Sequence, residues 1–278
     1  MHGLANLGNT CYVNAVVQAL LHCTAFRQWV AVEYAGDNVV TRALGGVARG
    51  LSSGAVAPRE LLSALERVVG LRDVHAQQDA HELMIKLIDA LDDASKSMFE
   101  GKMDRRVSCG LCGRAACTRE AFTLLPLYPA SCGSGSGQPE TPHEHLQDVS
   151  RCLDDVFKDV EISTRECDFC KRTGPGTLST RVSMVPRVLI LSWIDYGSRS
   201  RVRLAQVGAL RVLHNACAVM YQLVGVVCHQ GDMRGGHYVA LCRGGDGWSV
   251  YDDDVVNALS AEQIQKMIIK PYLLVYKS

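Results

Sequence analysis

The chain has 278 residues, 47% hydrophobic and 21% charged, an ordinary profile for a globular protein long enough to bury a substantial core. Lys plus Arg and Asp plus Glu stand at 29 each, so the net charge is zero and bulk charge gives no support to recognition of nucleic acid or a membrane surface. No run approaches the ~18 consecutive apolar residues of a membrane span, and the start lacks a basic, apolar and cleavable leader.

Twelve cysteines in such a chain point to a reducing, intracellular setting, cytoplasmic or nuclear, where thiols serve metal binding or chemistry rather than disulfides. The first notable segment, GLANLGNTCYVNAVVQALL at 3–21, lies so near the start that a trimmed catalytic domain is expected, with flanking targeting segments outside the sequence. Within it Val13, Val16, Val17, Leu20 and Leu21 recur with helical period, predicting a helix with one apolar face capped by Asn9 or Thr10. Cys11 opens that helix, where the macrodipole and unpaired N–H groups favour a thiolate and a lowered pKa. A cysteine at a helix start is most often structural, so a catalytic reading requires a base and a group to orient it.

A second helix is predicted after Pro58, burying Leu61, Leu62, Leu65, Val68 and Val69. A third runs from about Gln78 to Leu91 and buries Ala80, Leu83, Met84, Leu87, Ile88 and Leu91. After Gly101 the texture changes to short β-like runs (AFTLLPLY, RVLILSWI, YQLVGVVCH, GHYVALC, PYLLVYKS) separated by Gly- and Pro-containing turns. Helices followed by strands predict an α+β fold. The Gly-Ser-rich stretch at 131–145 reads as a flexible linker, either engineered in place of a longer loop or a natural low-complexity loop.

Two C-x-x-C pairs, Cys109/Cys112 and Cys167/Cys170, can supply four thiolates in the closed tetrahedral array of structural Zn²⁺. The competing reading, two coincidental redox pairs, lacks a thioredoxin-like βαβ context. Cys23, Cys117, Cys132, Cys152, Cys217, Cys228 and Cys242 show no ligand spacing and are expected as small buried hydrophobes.

Of nine histidines, His22 and His75 read as surface or helix-end residues, and His143 and His145 fall in the linker. His237 differs, because it follows Gly235-Gly236 and opens the run YVALC, which would present it at a strand end beside a cleft. Downstream, WSVYDDDVV ends a strand in Asp252, Asp253 and Asp254, and a turn at 244–247 would bring that end back beside His237. Thiol, imidazole and carboxylate then stand in the order Cys, His, Asp. Three consecutive aspartates are otherwise usually a solvated turn.

With these segments in view, the chain resembles the ubiquitin-specific proteases, the papain-like cysteine deubiquitinases. GLANLGNTCYVNAVVQAL is similar to that family's Cys box, GGHYVALC with WSVYDDDVV to its His box, QQDAHELMIKLIDAL to its Gln-Gln-Asp-x-x-Glu segment, and PYLLVYKS to its closing strand. The resemblance implies one catalytic domain over 1–278: a helical thumb at 1–100, zinc-binding β fingers at about 101–125 and 155–185, and a palm from the remainder. It implies Cys11 as nucleophile, His237 as general base, Asp252 as orienting acid, Asp253 as an assisting polar residue and Asn6 as the oxyanion donor. Gln78, Asp79, Glu82, Gly236 and Tyr238 are implied on the substrate side, with the two carboxylates meeting a basic tail. The zinc is implied to be structural and held by Cys109, Cys112, Cys167 and Cys170. The implied activity is hydrolysis of the isopeptide bond between the terminal glycine of ubiquitin and a lysine, with ubiquitin chains and ubiquitinated proteins as partners and a monomer as the working form. Alternatives are a protease for a ubiquitin-like modifier with a Gly-Gly tail, or a silent ubiquitin-binding scaffold. The chain departs from the family where Trp193-Ile194-Asp195-Tyr196 replaces a His-Leu-x-Arg-Phe stretch, with Tyr196 in the aromatic place and an acid for the base. Substrate preference is therefore open at the loop that follows.

Overall fold

Apolar periodicity in the first hundred residues becomes a set of helices in the computed structural model, which describes residues 1–71, 73–129, 146–195, 200–214, 217–232, 235–245 and 247–278. The expected linker, with Cys132, His143 and His145, lies outside the described residues, as do Tyr196 and Asp246 of the expected turn. The helices are α1 (Cys11–Leu21), α2 (Thr24–Gln28), α3 (Val39–Gly50), α4 (Arg59–Ala64), α5 (Ala80–Ala90) and α6 (Asp93–Ser97).

Helix α1 is not the one-faced helix its periodicity predicts. Every residue from Cys11 to Leu21 is buried, Asn14 and Gln18 included, as in a helix enclosed on all sides. Nor does a side chain cap it. Thr10 occupies the N-cap without a capping bond, its hydroxyl instead accepting from the Leu7 N–H at 3.0 Å. Helix α5 keeps all its predicted core residues and is capped by Asp79, whose Oδ1 accepts the N–H groups of His81 and Glu82. Past α4 the winding widens into a π turn over Leu65–Val69. That change in angular step turns Val68 outward, to 53% exposure, against the expectation that it is buried.

Among the described residues, the remainder holds fourteen strands and two short α-helices. They are β1 (Gly101–Cys109), β2 (Ala115–Phe122), β3 (Leu124–Leu127), α7 (Val149–Val156), β4 (Val160–Glu166), β5 (Thr173–Met184), β6 (Val188–Trp193), β7 (Val202–Arg203) and β8 (Ala209–His214). Then follow β9 (Cys217–Asp232), β10 (Gly235–Gly244), β11 (Gly247–Asp252), β12 (Val255–Ala258), α8 (Ala261–Lys266), β13 (Ile268–Ile269) and β14 (Pro271–Lys277). One twelve-stranded sheet runs in the order β12-β11-β10-β9-β8-β5-β1-β2, with β14 joined to β9 and β6, β3 to β6, and β4 to β5.

Alternation along the central strands divides the core between the sheet's two faces. On β10, Ala240 and Cys242 join the helical core with α1 and α5, whereas Val239 and Leu241 join the core shared with α7. On β14, Leu273 and Val275 face the first core, and Leu274 and Tyr276 the second. Gly225 of β9 is what lets α1 lie on this sheet, since a Cβ there would stand 2.9 Å from the Ala19 Cα. The sheet and its central helix thus bring segments far apart in sequence to one place.

Candidate active site

The hairpin of β10 and β11 sets the imidazole against a carboxylate. Ala240 and Tyr251 are the last pair of the ladder, and continuing its register one step sets Asp252 level with Val239. His237, two residues on, then shares a face with Asp252 as its diagonal neighbour. The side chains meet, with His237 Nε2 2.5 Å from Asp252 Oδ1. That bond leaves Nδ1 of the ring for a proton exchanged elsewhere.

Helix α1 packs across β10 and carries Cys11 to the same strand. Cys11, Gly236 and Tyr238 line a cleft of about 530 Å³ together with Gln77, Gln78, Asp79, His229, Lys270 and Tyr272. The expected depression of the Cys11 pKa is not what this environment gives. Burial pushes the thiol up, and the Asp253 carboxylate adds to that, while the backbone N–H groups of Tyr238, Tyr12 and Cys11 itself pull the other way. The helix start supplies amides, but desolvation outweighs them. A thiolate here needs a cationic partner, and His237 heads the stretch whose next N–H faces the sulfur.

Asn6 stands outside the buried core with both ends of its amide oriented. Its Oδ1 accepts from the Gly8 and Thr10 N–H groups at 3.0 and 3.2 Å and from the Thr10 hydroxyl at 3.3 Å. Its Nδ2 donates to Asp253 Oδ2 at 2.8 Å, which leaves one amide hydrogen for an incoming group. Asp253 itself sits in the left-handed region at φ +54°, one that aspartate tolerates better than most residues. Gly3 accommodates that turn, since a Cβ at residue 3 would lie 2.5 Å from the Asp253 carbonyl oxygen. The opening glycines therefore serve close approach at Gly3 and a left-handed φ of +106° at Gly8.

Among the residues implied for the substrate, Gln78, Asp79, Gly236 and Tyr238 line the cleft. Gly236 is required there, because a Cβ would stand 2.2 Å from His229 Nε2. Asp79 remains exposed while accepting the Tyr272 hydroxyl. Glu82 is not among the lining residues, and its carboxylate pairs with Lys86 at 2.6 Å. His229, Tyr238 and Tyr272 form an aromatic cluster in the cleft wall, with ring centroids 4.6 to 6.2 Å apart. No spacing singled out His229 or Tyr272; the register of β9 with β10, which pairs His229 with Tyr238, assembles them. His22, read as a surface or helix-end residue, is the C-cap of α1 and is buried: Nδ1 meets the Gln18 carbonyl at 2.7 Å and Nε2 the Tyr251 hydroxyl at 3.0 Å.

At the far end of the sheet, Cys109, Cys112, Cys167 and Cys170 converge, their sulfurs all within 4.8 Å of one another. Each pair forms a tight knuckle. The Cys109 N–H bonds the Arg114 carbonyl and the Cys167 N–H that of Arg172, while the residue after each pair, Gly113 or Lys171, takes a left-handed φ of +69° or +57°. The backbone N–H of Arg172 leads in holding Cys170 down to about 6. Although the Arg114 N–H favours its thiolate, Cys112 is pushed up to about 11 by desolvation and the neighbouring thiols. Four thiols so close cannot all ionise without a counter-charge, and a divalent cation supplies it. The four-cysteine cluster fits a metal ion. Of the cysteines expected in the core, Cys23, Cys152, Cys228 and Cys242 are buried, whereas Cys117 and Cys217 are exposed because each lies on a solvent-facing strand position.

Comparison with known proteins adds to this geometry. A family model described as ubiquitin carboxyl-terminal hydrolase matches residues 2–276. The human protein named ubiquitin carboxyl-terminal hydrolase 21 is 25% identical over 99% of this chain, which spans 61% of that relative's length. Ubiquitin carboxyl-terminal hydrolase 12 of Salmo salar is 24% identical over 95% of this chain and 83% of its own. Among solved structures, the SAGA DUB module bound to monoubiquitin aligns with a TM-score of 0.75 at 21% identity, covering 100% of this chain and 69% of that one. The Ubp8/Sgf11/Sus1/Sgf73 DUB module bound to ubiquitin aldehyde aligns at 0.73, with the same identity. At that identity the likeness establishes a shared fold, of the α+β class expected.

Proposed function

Because the chain belongs to the ubiquitin carboxyl-terminal hydrolase family, we propose that it is a cysteine-type deubiquitinase cleaving the isopeptide bond between the terminal glycine of ubiquitin and a lysine amine. The observation that carries this reading is the His237–Asp252 bond on the strand against which Cys11 is packed. Asp252 fixes the ring so that its other nitrogen can exchange protons. Cys11 gives its thiol proton to the free ring nitrogen of His237 as its sulfur attacks the glycine carbonyl, and the oxygen that gains charge is met by the amide hydrogen of Asn6 not engaged by Asp253. His237 then protonates the departing amine, leaving a thioester, and in the second half draws a proton from water that hydrolyses it.

The cleft supports this substrate class. Gly236 removes a side chain where the channel passes His229, and Asp79 leaves an exposed carboxylate for a basic tail. Zinc is the ion proposed for Cys109, Cys112, Cys167 and Cys170, where it would clamp the two knuckles at the end of β1 and β5. Its contribution would be structural, since the cluster belongs to the sheet end and not to the cleft. The gathering of Cys109, Cys112, Cys167 and Cys170 as a thiolate cluster fit for a metal supports a reducing compartment, cytoplasmic or nuclear.

The test is hydrolysis of ubiquitin carrying a fluorogenic amide on its C-terminal carboxyl. Wild type is expected to release the fluorophore at least a thousandfold faster than Cys11→Ala, and equal rates would overturn the reading. Parallel assay of modifiers ending in Gly-Gly then tells which tail the channel prefers.

A further inference from the structure

Three polar side chains, Asn14, Gln18 and His22, recur every four residues along the buried helix α1 and so share one face. Gln18 and His22 make ties remote from the thiol, Gln18 Nε2 donating to the His2 carbonyl at 2.9 Å and His22 meeting Tyr251. Asn14 lies one turn from Cys11 and has different partners. Its Nδ2 stands 2.8 Å from Asp253 Oδ1, 3.2 Å from the Leu4 carbonyl and 3.3 Å from the Ala5 carbonyl. Its two amide hydrogens are therefore shared between one carboxylate and the backbone just before Asn6.

Asp253 completes the connection, because its second oxygen accepts from Asn6 Nδ2 at 2.8 Å. An unbroken line thus runs from Asn14 through a carboxylate to the Asn6 amide, which keeps one hydrogen uncommitted. The carboxylate stays in place because its residue holds a left-handed turn over Gly3, and the Leu4 N–H donates to the Asp253 carbonyl at 2.8 Å. Asn6 can rotate only by giving up these bonds, since its Oδ1 is held by Gly8 and Thr10. Asn14 is 2% exposed and cannot itself touch a substrate.

We propose that Asn14 is a positioning residue for hydrolysis: through Asp253 and the backbone of residues 4 and 5 it aims the Asn6 amide at the oxygen that gains charge when Cys11 attacks. The assignment rests on the deubiquitinase reading above. A donor that is already oriented stabilises the transition state without reorganising when the charge appears. Removing such a donor typically costs about 10²–10³ in kcat, and losing only its aim costs part of that.

The experiment measures kcat and KM on the fluorogenic ubiquitin amide for wild type, Asn14→Ala, Asn6→Ala, the double variant and Cys11→Ala, with thermal melts of each. Asn14→Ala is expected to lower kcat roughly 10- to 100-fold with KM within about threefold. The double variant should be no more than about threefold slower than Asn6→Ala, because aim is worthless once the donor is gone. A structural tether would instead lower the melting temperature and multiply the loss, so a fully multiplicative double variant overturns the assignment. So does Asn14→Ala at wild-type kcat. Should Asn14→Ala fail to fold, Asn14→Ser, which keeps one short donor, is expected to retain more kcat than Asn6→Ala and to show the same non-additivity with it. If wild type is no faster than Cys11→Ala, the deubiquitinase reading itself fails, and the role of Asn14 falls with it.

Discussion

Cys11 illustrates how a single residue can be correctly placed by its sequence context and still be misjudged in its chemistry. The helix start is where periodicity put it, but burial and Asp253 raise its pKa instead of lowering it. Asp253→Asn removes the nearby negative charge, so at neutral pH the variant's Cys11 is expected to alkylate faster with iodoacetamide. Turnover should nonetheless fall, roughly tenfold or more, because Asn6 loses its charged partner. Slower alkylation in the variant would contradict this electrostatic account. His22 makes the complementary case. Burial lowers its pKa from 6.5 to about 4, so between those values the unfolded chain binds a proton that the folded chain refuses. Stability should therefore be lost as pH falls from 6.5 towards 4, by at most about 3 kcal/mol. Denaturant titrations across that window are expected to show a steeper loss for wild type than for His22→Gln.

At the scale of elements, the legible parts are those whose pattern is local. Helix α5 could be read because its apolar residues recur with one period, and the structure adds Asp79 as its cap. Helix α1 hid its burial because a run of valines and leucines looks amphipathic until a sheet is laid beneath its other side. Helix α3 was missed although Asn38 caps it by accepting the Thr41 N–H, a signal present in the sequence. The contact between α1 and β9 depends on Gly225, and Gly225→Val is expected to lower stability by about 1–3 kcal/mol, measured as a lower melting temperature. An unchanged melt would mean that α1 can lift from the sheet without cost. The two C-x-x-C knuckles were legible as a pair, and the return of β5 alongside β1 explains how 55 residues of separation between Cys112 and Cys167 close to an Sγ–Sγ distance of 3.8 Å. Cys170→Ser is expected to hold far less than one equivalent of zinc by metal analysis and to melt at a lower temperature. Full zinc content in that variant would remove the cluster as the metal site.

For the whole molecule, the proposed active site is a product of sheet order. The packing of one helix across β10 brings Cys11 to the strand that carries His237, and the hairpin that follows brings Asp252 to His237. These three were legible as a thiol, an imidazole and a carboxylate because each sits at a recognisable helix start or strand end, and their catalytic roles are the proposal made above. Asn14, His229 and Tyr272 could not be anticipated in this way, because their partners are fixed by strand register and not by spacing along the chain. Attack of the Cys11 sulfur on the C-terminal carbonyl of ubiquitin is tested by intact-mass and peptide-mapping analysis after incubation with ubiquitin bearing a C-terminal thiol-reactive electrophile. A single adduct is expected, on Cys11, lost in Cys11→Ala and slowed in His237→Ala. An adduct on another cysteine, or none on a folded protein, would contradict it.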